Sequence, residues 1–260
     1  MKFAFVLVAI AGLITESQAA TSLFAEYHLG EAGSLGSSNL PLDSSGNGRN
    51  FSSSIVDGTE TVLTAGVFAP GSTAYLSTAN PNGQGWYSTG LLAGLQTDNF
   101  AFGVYARAAS LAGEGDIFTV GGSNGSLKLS LGGNGWAASA HNVSWIGGDS
   151  GVAGSFSADT WVHLALIRSG GSTTFYINRV AQGGPYLNAP VNDSPHLSVD
   201  PGGANFFDGG IDEARVVTFT AGESTANVLN ALQAVPEPGS AALLTGAFGV
   251  FLGKRRRRIA

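Results

Sequence analysis

Two alternating runs around a pair of glycines constrain this chain more than any other feature. Trp161-Val162-His163-Leu164-Ala165-Leu166-Ile167-Arg168 reads as a strand, Ser169-Gly170-Gly171 as a turn, and Ser172-Thr173-Thr174-Phe175-Tyr176-Ile177-Asn178 as the return. β-Branched and aromatic residues at period two, joined through glycine, specify a hairpin. The segment from Asn99 to Arg107 repeats the pattern. Phe100, Phe102, Val104 and Ala106 share one face there, and Ala101, Gly103, Tyr105 and Arg107 the other. A chain built this way folds as antiparallel sheets with one face on a core.

Further strands are expected over Leu23–Leu29, Thr73–Ser77, Asp116–Gly121, Ser126–Leu131, around Trp136 into His141, and over Phe206–Val217. Asn80–Gly90 reads as a loop, and Asp43-Ser44-Ser45-Gly46-Asn47-Gly48 is a dense turn signal. One helix is expected before the C-terminal tail: Ser224 is placed to cap it, and Val228, Leu229 and Leu232 share a face. With 39 glycines, 15 phenylalanines and 43% hydrophobic residues, the chain has both the turns and the core for an all-β domain. It has no cysteine, which excludes disulfides, thiolate metal sites and a cysteine nucleophile.

Charge is distributed unevenly. Between Lys2 and the terminal basic block, six bases face eighteen acids, a net of −12. Such a body repels nucleic acid, whose phosphates need basic patches. The two ends read differently from the body. Residues 1–20 have a signal-peptide plan: Lys2, an uncharged run Phe3–Ile14, and Ser17-Gln18-Ala19 before the cut. Residues 234–260 carry Pro236-Glu237-Pro238, an uncharged run Gly239–Gly253, and the bases Lys254, Arg255, Arg256, Arg257 and Arg258. The bases stay on the cytoplasmic side under the positive-inside rule. As a helix the run is about 22 Å long, short against a hydrocarbon core of about 30 Å, which suits a temporary anchor.

Five segments in order resemble the LamG-like, concanavalin A-like lectin/glucanase superfamily. They are Tyr27-His28-Leu29 before Asp43–Gly48, Thr97–Phe102, Trp161–Arg168, Phe175–Asn178, and Phe207-Asp208-Gly209-Gly210-Ile211-Asp212-Glu213-Ala214-Arg215-Val216 before the helix. The resemblance implies one two-sheet antiparallel jelly-roll sandwich over residues 21–233. The tail resembles a PEP-CTERM sorting signal in all three parts. That implies a membrane-embedded exosortase as transient partner, a stay in the inner membrane, and release to the cell surface or extracellular matrix of a Gram-negative bacterium.

The fold invites a glycosidase, which needs two carboxylates about 5–5.5 Å apart in its retaining form. Glucanases of the superfamily show Glu-x-Asp-x-x-Glu; here Glu114-Gly115-Asp116 begins it, but Thr119 stands in the last place. Asp212 and Glu213 are adjacent, so in a regular strand they point to opposite faces. A non-enzyme is therefore expected. Calcium is the candidate cofactor, held by Asp43, Asn47 and Asp212, against the alternative that Asp43 and Asn47 bond their own turn. Trp86, Tyr87, Trp136 and Trp145 are candidates for stacking on sugar rings. The expectation is an exported, non-enzymatic surface or matrix protein whose lectin-like domain binds extracellular polysaccharide or a surface protein. A purely structural component comes second and a glycoside-active enzyme third.

Overall fold

The computed structural model describes residues 20–55, 61–78, 85–95, 98–122, 125–132, 135–141, 156–187 and 194–233. The expected signal sequence through Ala19, Trp145 and the whole sorting signal lie outside the described residues. Among the described residues no helix is long and apolar enough to cross a membrane.

In chain order the strands are β1 (Thr21–Tyr27), β2 (Ser53–Ile55), β3 (Thr61–Leu63), β4 (Tyr75–Ser77), β5 (Gly85–Tyr87), β6 (Asn99–Ala108) and β7 (Gly115–Gly122). They continue as β8 (Gly125–Gly132), β9 (Gly135–His141), β10 (Val162–Ser169), β11 (Ser172–Ile177), β12 (Val180–Leu187), β13 (Pro195–Leu197) and β14 (Gly209–Phe219), before the helix α1 (Thr225–Gln233). One antiparallel sheet runs β12-β11-β10-β6-β14-β4-β3, and β1 also pairs with β14. The other runs β2-β5-β13-β7-β8-β9. This is the all-β, two-sheet jelly-roll sandwich expected from the sequence.

The alternation in β6 sorts its residues as the period demands. Phe100, Phe102, Val104 and Ala106 are buried in the main core with Leu164 and Leu166 of β10 and Phe118 of β7. Phe102 meets Phe118 edge-on across the sandwich, ring centroids 5.2 Å apart. Ala101 on the opposite face joins Ala165, Ile167, Val217 and Phe219 under Val228, Leu229 and Leu232 of α1. So α1 covers one end of the outer face of the larger sheet. Its cap is the expected one: Asn227 N donates to Ser224 Oγ at 3.2 Å.

Five strands escaped the sequence reading. β2, β3, β5 and β13 are three residues long, too short to show a period. β5 lies inside the segment read as a loop. β12 contains Gly183, Gly184 and Pro185, which disguise it, and it sits at the sheet edge where proline is tolerated.

Candidate functional site

Strand β14 organises the outer face of the larger sheet. Its first half pairs with β4 (Gly210 with Ser77, Ile211 with Leu76), and its second half with β1 (Ala214 with Tyr27, Arg215 with Glu26). Two strands therefore share one edge of β14, and Asp212 and Glu213 fall at the seam between them. The register against β6 shifts between Asp212 and Arg215, and Glu213 has φ +48°. Such a bulge breaks the two-residue alternation. Asp212 Oδ1 accepts from Glu213 N at 2.9 Å and holds the bulge.

The bulge overturns the expectation that Asp212 and Glu213 point to opposite faces. Carboxylate oxygens of Glu31, Asp212 and Glu213 lie within 4.8 Å of one another. Glu26, His28 and Glu213 form a second such group. His28 Nδ1 lies 2.8 Å from Glu213 Oε1, and Glu26 pairs with Arg215. The hydrogen bond to Glu213 raises the His28 pKa above its usual value against the opposing effect of burial. Burial pushes the Asp212 carboxyl up to about 9, with the charges of Glu31 and Glu213 adding to it. The bulge breaks the alternation at Asp212 and Glu213, so strand periodicity alone could not reveal this cluster.

Beside the seam, beyond the end not covered by α1, lies a cleft of about 150 Å³ lined by Tyr75, Ser77, Arg107, Ala109, Asp159, Gly209 and Gly210. Arg107 Nη1 donates to Tyr75 Oη at 3.1 Å, and Arg107 Nη2 lies 3.2 Å from Asp159 Oδ1. Arg107 Nε is buried with no acceptor among the described residues. Trp161 meets Tyr75 edge-on at 5.1 Å and is held by its Nε1 donating to Val67 O at 2.8 Å. A Cβ on Gly210 would sit 2.9 Å from the Tyr75 ring and 3.0 Å from Trp161, so glycine keeps this wall open. Sequence reading named none of these as site residues; Arg107 at the outward end of an alternating strand was the available signal.

The expected sites fall differently. Asp43 Oδ1 accepts from Glu26 N and Ser45 N, both at 3.0 Å, and Oδ2 from Arg49 N at 2.9 Å. Asn47 Nδ2 donates to Leu23 O at 3.3 Å and Phe24 O at 3.1 Å. Both side chains thus tie the glycine-rich turn to β1. Asp212 stands instead with Glu31 and Glu213, and Asp43 belongs to neither acid group. The calcium trio Asp43, Asn47 and Asp212 is therefore not assembled. Trp86 and Trp136 are corrected from sugar platforms to core residues: they are 0% and 1% exposed, with Trp136 facing Phe207. Tyr87 is half-buried and stacks on His196 at 6.1 Å. Asp116, of the incomplete glucanase pattern, is buried 2.7 Å from Lys128 Nζ.

A family model described as the concanavalin A-like lectin/glucanases superfamily matches residues 70–223. No curated protein matches the chain. Among solved structures, domain 4 of AbnA, a GH43 extracellular arabinanase from Geobacillus stearothermophilus in complex with arabinotriose, is 18% identical with TM-score 0.55. The match covers 82% of this chain and 99% of that one. The binding domain of Paraclostridial mosquitocidal protein 1 is 14% identical with TM-score 0.52, over 81% of this chain and 51% of that one. The binding domain of botulinum neurotoxin serotype D is 11% identical with TM-score 0.50, over 82% and 50%. The chain thus spans about half the length of the two toxin domains.

These comparisons correct the functional expectation. The sandwich was read as an exported, non-enzymatic surface or matrix component, with a structural protein as second choice. The same fold is a domain of a glycoside hydrolase carrying a sugar, as well as a toxin binding domain. The fold houses both binding domains and parts of enzymes, so it does not single out a surface component. At these identities it transfers no activity to this chain.

Proposed function

The chain belongs to the concanavalin A-like lectin/glucanases superfamily, and on that premise we propose that residues 21–233 form a domain that captures carbohydrate in the Tyr75–Arg107–Asp159 cleft. One observation carries this reading. A guanidinium with an unused buried N–H, a carboxylate and aromatic edges converge on an open wall made by Gly209 and Gly210. Sugars are held by such planar donors and acceptors beside apolar ring faces. The cleft is smaller than the roughly 300 Å³ at which drug-sized pockets begin, so it suits a single ring or chain end.

Hydrolysis would need carboxylates that reach a glycosidic bond. Asp212 and Glu213 are close together but 0% and 2% exposed, which supports capture over cleavage. A glycan array probed with the full chain tests the reading. Retention of a defined glycan class, abolished by Arg107→Ala, is expected. An array without a hit contradicts it, and turnover of a bound polysaccharide shows an enzyme instead.

Export is the second part of the proposal and rests on the two ends of the sequence. Residues 1–20 direct the chain across the inner membrane. Residues 234–260 hold it there until an exosortase-type protease cuts near Pro236-Glu237-Pro238 and releases it to the cell surface or matrix. Glu237→Ala is expected to leave full-length protein in the inner membrane fraction; normal release of that variant refutes the sorting role.

A further inference from the structure

Resting on the capture reading above, we infer that Asp159 sets the substrate class of the cleft: with Arg107 it takes the vicinal diol of a neutral terminal sugar and turns away sugars that carry a carboxylate. The inference starts from the charges. Arg107 and Asp159 are the charged residues among those lining the cleft. They lie 3.2 Å apart and offset each other. The guanidinium therefore offers donors without an unbalanced positive charge.

The backbone sets the two groups independently of one another. Arg107 on β6 stands opposite Gly210 on β14, which stands opposite Ser77 on β4. These three share one row on one face of the sheet. Asp159 comes from the segment before β10. Its backbone nitrogen donates to Ala108 O at 2.9 Å, which ties it to the end of β6. Its φ of +58° lies in the left-handed region, which aspartate tolerates better than most residues. The Asp159 side chain is 65% exposed and that of Arg107 23%, so a ligand reaches both.

The unused hydrogen-bonding capacity gives the ligand its form. An arginine has five N–H donors, and Tyr75 Oη and Asp159 Oδ1 take one each. Asp159 Oδ2 accepts from no group among the described residues. The cleft thus presents spare donors beside a spare carboxylate oxygen. A hydroxyl both donates and accepts. In a vicinal diol, one hydroxyl accepts from Arg107 and its neighbour donates to Asp159. A carboxylate has acceptors only, so it can take the Arg107 donors but gives nothing to Asp159, and it meets a like charge there. Eighteen acids against six bases between the basic ends add repulsion of anionic polymers at longer range. Asp159 is in this sense the element that discriminates against a competing ligand.

An array of neutral oligosaccharides, each printed beside the same chain ending in its uronic acid, tests this with the full-length protein. The wild type should retain the neutral member of a pair at least about tenfold more strongly, a ratio equal to about 1.4 kcal/mol. Periodate treatment of the array, which splits the C–C bond of a vicinal diol into two aldehydes, should abolish retention. Asp159→Asn should lower the neutral-to-acidic ratio to below about threefold, because the Arg107 charge is then uncompensated. An exposed ion pair contributes little to stability, so this variant should fold, and circular dichroism verifies that it does. Where it does not fold, the matched pairs and the periodate arm decide on the wild type alone. Equal or stronger retention of the uronic acid overturns the inference, as does a ratio unchanged in folded Asp159→Asn or retention that survives periodate; each of these leaves glycan capture standing. An array on which no glycan of either kind is retained overturns the capture reading itself, and this inference with it.

Discussion

Asp43 holds a turn through both carboxylate oxygens. Burial alone would raise its pKa, but hydrogen bonds from Ser45, Arg49 and Glu26 outweigh it and hold the carboxyl below its usual value. The folded chain therefore favours the charged form. Its contribution is complete above the unfolded value of about 3.9 and is lost as pH falls through the lower folded value. Asp43→Ala should cost about 2 kcal/mol in urea unfolding at pH 7, and the gap to wild type should narrow in strong acid. His163 has the opposite chemistry. It packs over Gly103 against Tyr105, and burial, with Arg215 and Arg179 nearby, pushes its pKa down to about 3. Between that value and about 6.5 the unfolded chain binds the extra proton, so stability falls as pH drops through this window, by up to about 1.4 kcal/mol per unit. In His163→Phe, urea midpoints measured from pH 7 to 4 should follow a shallower slope; an unchanged slope contradicts the assignment.

Among the elements, α1 and β14 carry most of what is specific to this sandwich. Leu232 is fully buried between α1 and the sheet. Leu232→Ala should cost about 2–4 kcal/mol by leaving a cavity, whereas Ser224→Ala should cost about 1 kcal/mol by removing the cap. Thermal or urea unfolding separates the two. Both features were legible beforehand, because a cap residue and a helical apolar stripe are local signals. The long strands β6, β10 and β11 were legible for the same reason, and the two faces of β6 were sorted correctly. The candidate site was far less so. Arg107 was placed on the outward face, but its partners Tyr75 and Asp159 come from distant segments. Asp212 and Glu213 were misplaced because a bulge cancels the alternation on which the argument rested. Trp86 and Trp136 were misjudged because a three-residue strand hides the direction of Trp86, and Trp136 lies next to a glycine turn that looks exposed in sequence.

For the whole molecule, the two sheets enclose the main hydrophobic core. On the larger sheet α1 takes one end of the outer face, and the cleft lies at the opposite end beside the β14 seam. Carbohydrate capture is proposed for the Tyr75–Arg107–Asp159 cleft. It is tested most directly by isothermal titration of the full chain with a glycan retained on the array, wild type against Arg107→Ala, with circular dichroism verifying the fold of each. Affinity at least tenfold weaker in Arg107→Ala, with the fold intact, is expected. Equal affinity in the two proteins, or no glycan bound by either, would contradict it.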